Sequence, residues 1–132
     1  MTSPTQRTLA WLRKRPDLRV CQIVEQWNPH ARVRKDLFGF IDILAIMKDY
    51  HPEDPDLAQA WAIQCTSSGV SSRVAKILSD EHWPAAKACR DAGWRILVVG
   101  WRKLKPRGTK LARWHERVVE ITNERGSVEW VT

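Results

Sequence analysis

Residues 37–47 read Leu37-Phe38-Gly39-Phe40-Ile41-Asp42-Ile43-Leu44-Ala45-Ile46-Met47, an apolar run interrupted by one carboxylate. Its aromatic and β-branched content predicts a strand, and apolar residues on both faces predict a central one. A second apolar run, 58–66, follows a polar, proline-bearing loop over 48–56 and closes as Ile63-Gln64-Cys65-Thr66-Ser67-Ser68. A carboxylate inside a buried strand needs something to offset its desolvation, and a bound cation does so. Asp42 is therefore the first candidate functional residue.

The flanking sequence supplies the rest of the architecture. Residues 4–14 place Leu9 and Leu12 on one helical face, with Pro4 early and Ser3 among the possible N-caps. Residues 19–27 read as a first strand and residues 28–35 as a loop carrying Arg32, Arg34 and Lys35. After 58–66, the third strand, helices are expected over 70–79 and 81–92, with Gly93 as the residue that ends the second. A fourth strand over 94–101, a basic loop over 103–110 and a hairpin pairing 113–122 with 128–131 complete the chain. This order predicts one α/β domain over 1–132, with a mixed central β-sheet flanked by helices and a C-terminal β-hairpin at about 111–132.

Composition narrows the function. A chain with 43% hydrophobic and 28% charged residues is globular, not disordered. Its apolar runs are too short for a membrane span, and residues 1–7 lack the apolar core of a signal peptide, so a cytoplasmic protein is expected. Cys21, Cys65 and Cys89 are an odd, widely spaced set in apolar surroundings, expected to be buried free thiols. His30, His51, His82 and His115 show no metal-ligand spacing. With 22 Lys+Arg against 15 Asp+Glu, the net charge of +7 favours a polyanionic partner.

Strand alternation sets Asp42 on one side with Phe38, Phe40, Leu44 and Ile46, and puts Gln64 with Ala62 and Thr66. If the two strands are neighbours, Asp42 and Gln64 converge. A hard cation such as Mg²⁺ takes oxygen ligands, which the Asp42 carboxylate, the Gln64 amide and the Cys65 carbonyl would supply.

An isolated Asp on one strand, a short motif closing the next and a helix carrying basic residues resemble the PD-(D/E)XK nuclease superfamily. More narrowly, Arg34-Lys35-Asp36-Leu37-Phe38-Gly39-Phe40-Ile41-Asp42 followed by Ile63-Gln64-Cys65-Thr66-Ser67-Ser68 resembles small Holliday-junction-resolvase-like proteins of phages and prophages. The resemblance covers about residues 5–102 and treats the hairpin as an elaboration. It implies a restriction-endonuclease-like core and a homodimeric endonuclease that uses Mg²⁺, or Mn²⁺ in its place, to hydrolyse phosphodiester bonds in branched or structured DNA.

The resemblance also implies a second carboxylate, Glu25 or alternatively Asp36. It implies a water-orienting lysine, which the third-strand motif lacks because Thr66 holds that position. Lys76 or Arg73 on the following helix would substitute. Arg32, Arg34, Lys35, Arg73, Lys76, Arg102, Lys103, Lys105 and Arg107 are expected to contact DNA phosphates, and Trp27 and Trp101 are candidates for stacking on unpaired bases. The rival expectations are a catalytically silent DNA-binding accessory protein of the same fold, and a toxin or defence nuclease acting on DNA or RNA.

Overall fold

The computed structural model describes residues 2–49, 53–54, 57–105, 107–108 and 111–131. The first helix begins where its sequence provides a cap: Ser3 Oγ accepts the Gln6 N–H at 3.1 Å and Pro4 occupies the first turn, giving α1 (Pro4–Arg13). The other elements are β1 (Leu18–Ile23), β2 (Gln26–Asn28), β3 (Val33–Lys35), β4 (Ile43–Lys48), β5 (Ala58–Thr66), α2 (Val70–Leu78), α3 (Trp83–Asp91), β6 (Arg95–Leu104), β7 (Arg113–Ile121) and β8 (Ser127–Glu129). Six strands form one mixed sheet in the order β1-β4-β5-β6-β7-β8, while β2 and β3 pair as a separate two-stranded ribbon. The α/β class with a mixed central sheet and a hairpin-like C-terminal end is as expected.

Each face of the sheet has its own core. On one, Leu9 and Leu12 of α1 pack on Ile43, Ala45, Met47, Trp61, Ile63, Cys65, Leu97 and Val99. On the other, Val70 and Ile77 of α2 and Ala86 and Cys89 of α3 cover Ala62, Ile96, Val98 and Ile121. The α2–α3 pair is the crossover between the parallel strands β5 and β6. Gly93 (φ +86°) ends the second of these helices: its N–H and that of Trp94 donate to the Arg90 and Cys89 carbonyls, a Schellman closure.

Three boundaries differ from expectation. The strand expected over 19–27 ends at Ile23, because residues 26–28 leave the sheet to pair with 33–35. The strand expected over 37–47 begins at Ile43. Phe38 (φ +54°) and Gly39 (φ +83°) are left-handed and cannot be extended, so Leu37–Ile41 closes as a turn bridged between its ends. Phe38 therefore does not share a strand face with Asp42; it is exposed, whereas Phe40 is fully buried. Finally, Arg102 and Lys103 lie in β6 rather than in a loop, opposite His115 and Trp114 of β7. The expected loops over 48–56 and 103–110 include Tyr50, His51, Pro52, Pro55, Asp56, Pro106, Thr109 and Lys110, which lie outside the described residues.

At Gly100 the start of α2 comes close to the sheet. A Cβ there would meet Val70 Cγ2 at 2.2 Å and the Ser67 carbonyl oxygen at 3.3 Å. Val70 is β-branched and stiff within its helix, so α2 must shift to admit a methyl group. Gly100→Ala is expected to destabilise by about 1–3 kcal/mol in urea unfolding, and adding Val70→Ala is expected to recover part of that loss. Equal stability of Gly100→Ala and wild type would contradict this packing.

Candidate metal centre

The site lies at the end of the sheet where β4 begins and β5 finishes. Asp42 precedes β4, and its main chain is held on both sides: its N–H donates to the Ile63 carbonyl at 2.8 Å, and its carbonyl accepts from Val24 at 2.8 Å. Its side chain is then clamped by β5. The Cys65 N–H donates to Asp42 Oδ2 at 2.7 Å, and Gln64 Nε2 donates to the same oxygen at 2.8 Å. The expected convergence of Asp42 with Gln64 is therefore present.

The two alternatives for a second carboxylate are both present in one cluster. Carboxylate oxygens of Glu25, Asp36 and Asp42 all lie within 4.8 Å of one another. Glu25 occupies the short link after β1, and Asp36 sits between β3 and the Leu37–Ile41 turn. The turn brings Asp36 back against Asp42: Leu37 N–H donates to the Ile41 carbonyl, and Gly39 N–H donates to the Asp36 carbonyl, both at 3.0 Å. Arg34 reaches the cluster from the ribbon, with Nη1 at 3.4 Å from Glu25 Oε1.

This crowding has an electrostatic consequence. Asp42 is raised from 3.8 to about 7, first by burial and then by the negative charge of Asp36 and Glu25; the Cys65 N–H bond opposes the rise. Asp42 therefore keeps a share of its protons near neutral pH. Gln64 is buried, and its Oε1 has no hydrogen-bond partner. The amide that clamps Asp42 through its nitrogen thereby leaves an acceptor oxygen beside the cluster, the type of neutral donor a hard cation takes. The three carboxylates lie close enough together that one oxygen from each could reach a common metal ion.

Other expected site residues are placed differently. At Cys65 the backbone N–H donates to Asp42 Oδ2. The Cys65 thiol faces the α1 side of the sheet, and burial pushes it up to about 12, which leaves it unreactive as a nucleophile. Thr66 Oγ1 accepts the Gly69 N–H at 3.2 Å and so shapes the turn into α2. Lys76 is half-buried and Arg73 exposed on α2. Among the described residues, no hydrogen bond or ion pair joins either of them to Asp42, Gln64, Glu25 or Asp36. Trp101 is buried, with Nε1 donating to Thr8 Oγ1 at 2.9 Å, so it is a core residue and not a stacking surface. Trp27 is exposed on β2, and Arg32, Arg34, Lys35, Arg102, Lys103, Lys105 and Arg107 are exposed as expected.

The Arg34–Glu25 contact went unrecognised in the sequence. Its signal lay in the placement of Arg34 and Lys35 directly before Asp36, but pairing with Glu25 depends on the β2–β3 ribbon closing. Gly39 inside the apolar run was the readable sign of the turn that brings Asp36 to Asp42.

Comparison with family models, curated proteins and solved structures returns no significant match. Among the described residues, no helix is long and apolar enough to cross a membrane.

Proposed function

We propose that this protein is a divalent-cation-dependent endonuclease that hydrolyses DNA phosphodiester bonds, with branched or structured DNA as its substrate. The observation that carries this reading is the cluster of Glu25, Asp36 and Asp42 within 4.8 Å, in a chain whose net charge is +7. Carboxylates concentrated at one point of a basic protein match a cation site flanked by phosphate-binding surface. The buried, unpartnered Gln64 Oε1 supports it, as does the resemblance of 34–42 and 63–68 to PD-(D/E)XK resolvase-like proteins.

In this reading Asp42, Asp36, Glu25 and the Gln64 amide hold Mg²⁺ or Mn²⁺. The bound ion would supply Lewis acidity at the phosphate and a lowered pKa for water. The chain's own residues do the rest. The Cys65 N–H and Gln64 Nε2 fix the orientation of the Asp42 carboxylate. Arg34 balances charge at Glu25. Lys76 orients the attacking water, and the homodimer expected of resolvase-like proteins pairs two sites for two strands.

One observation favours the silent DNA-binding alternative: Thr66 stands at the usual lysine position and is committed to Gly69. A cleavage panel separates the readings. Branched, duplex and single-stranded DNA and RNA are incubated with Mg²⁺, Mn²⁺ and chelator, using wild type and Lys76→Ala. The expected result is metal-dependent cleavage of branched DNA, reduced on the order of 10²-fold in Lys76→Ala with metal affinity retained. Binding without cleavage under every metal would establish the accessory reading, and preferential cleavage of RNA would redirect the substrate assignment.

A further inference from the structure

We propose that the β2–β3 ribbon is an arm that enters the major groove of a DNA duplex lying across the carboxylate cluster. This deepens the endonuclease reading, on which it rests for the identity of the partner.

The ribbon is placed by the site itself. The chain leaves the sheet at Ile23, passes Glu25, forms β2 and β3, and returns through Asp36, so two of the three clustered carboxylates are the feet of the ribbon. All six of its strand residues are exposed, and Trp27 and Val33 are each more than half exposed. A lone two-stranded ribbon is marginal in water and gains little from exposing apolar side chains. This one is nevertheless well formed: three residue pairs are in register, and Asn28 Oδ1 accepts the His30 and Ala31 N–H groups at 3.0 and 3.2 Å across its tip.

Its charge specifies what covers it. Residues 26–35 contain Arg32, Arg34 and Lys35 and no carboxylate. Arg34 is engaged with Glu25, which leaves Arg32 and Lys35 for phosphates. Val33 offers an apolar contact of the kind a thymine methyl group accepts.

A second basic element makes the partner a duplex. In β6, Gly100 lies opposite Thr66, the last residue of β5, and β6 then continues to Leu104 paired with β7. Arg102, Lys103, Arg113 and His115 are exposed on this extension. It rises from the same end of the sheet as Asp42 and Gln64. It is three strand positions from β1, roughly 14 Å at the usual spacing. Basic residues thus lead away from the sheet on both the β1 side and the β6 side of Asp42, a spread that suits a duplex better than a single strand. The B-form major groove, about 12 Å wide, admits a two-stranded ribbon, whereas the A-form groove of RNA is too narrow.

The test is binding in chelator, where the metal site plays no part. Anisotropy of a labelled DNA duplex, the matching single strand and an RNA duplex is followed against salt for wild type and the Arg32→Ala/Lys35→Ala double variant. Wild type is expected to prefer the DNA duplex. The double variant is expected to lose about tenfold or more in duplex affinity at physiological salt, with its log–log salt slope reduced by about 1.8. An Arg32→Lys/Lys35→Arg variant is expected to keep the slope, which separates lost charge from lost folding. Unchanged duplex affinity and slope in the double variant, or equal binding of single strand and duplex by wild type, would overturn the proposal. Ribbon-dependent duplex binding without cleavage under any metal would sink the endonuclease reading and leave the arm standing.

Discussion

Asp42→Asn is expected to abolish metal-dependent cleavage, by on the order of 10³-fold or more, while making the metal-free protein more stable at alkaline pH. Both effects follow from the same crowding. Asp42 is raised from its usual 3.8 to about 7 in the folded protein, by burial and by Asp36 and Glu25. Between those values the folded state holds a proton that the unfolded chain has released, so unfolding releases protons and stability falls as pH rises. The stabilisation is complete below about 3.8 and lost through about 7, a loss on the order of 4 kcal/mol above neutrality.

Asparagine removes this loss without disturbing the clamp. Both donors, Cys65 N–H and Gln64 Nε2, converge on Asp42 Oδ2, so an asparagine oxygen placed there accepts both bonds. The amide group then takes the place of Oδ1 and donates toward the neighbouring carboxylates. Urea unfolding at pH 5 and pH 8, with and without Mg²⁺, reads the result. Wild type is expected to weaken from pH 5 to pH 8 and to be restored by Mg²⁺, which needs the deprotonated carboxylates. The variant is expected to be the more stable of the two at pH 8 without metal, and indifferent to Mg²⁺. Wild-type stability that does not change between the two pH values would count against a strained cluster, and cleavage surviving in Asp42→Asn would remove this site from the chemistry.

Phe40→Ala is expected to cost about 3–5 kcal/mol and to weaken cation binding as well. Phe40 is fully buried on the α2–α3 side of the sheet, in the same core as Ile41, Val70, Ile77, Ala86 and Cys89. It is also the last residue inside the turn that folds Asp36 onto Asp42. Its ring therefore anchors the turn that follows Asp36 as well as filling volume. Phe38, two residues earlier and exposed, serves as the control: Phe38→Ala is expected to leave stability nearly unchanged. Urea unfolding gives the first comparison, and Mn²⁺ titration under conditions where both variants are folded gives the second. Native Mn²⁺ affinity in folded Phe40→Ala would show that the turn does not depend on this anchor.

Much of the fold was legible because its signals are local. Ser3 and Pro4 announce α1, and the apolar periodicity of 58–66 announces β5. Gly93 supplies the left-handed residue that ends α3. The pairing of Asp42 with Gln64 was legible too, since two apolar runs of matching character joined by a short loop tend to be neighbours in a sheet. Trp101 misled because a tryptophan next to basic residues looks exposed; only the docking of α1, with Thr8 as its hydrogen-bond partner, buries it.

By itself, then, the sequence determined the helices, the apolar strands, the basic balance and the one carboxylate that an apolar run has to accommodate. The tertiary structure alone decided which carboxylates join it. Glu25 and Asp36 stood as alternatives because each is ordinary in its local context. A left-handed turn at Phe38 and Gly39, and a ribbon that leaves the sheet between the two acids, bring both to Asp42. Periodicity describes which face of one element a residue occupies. Convergence of three elements depends on where the chain stops being periodic, and that is set by the core into which Phe40 and Ile41 are buried.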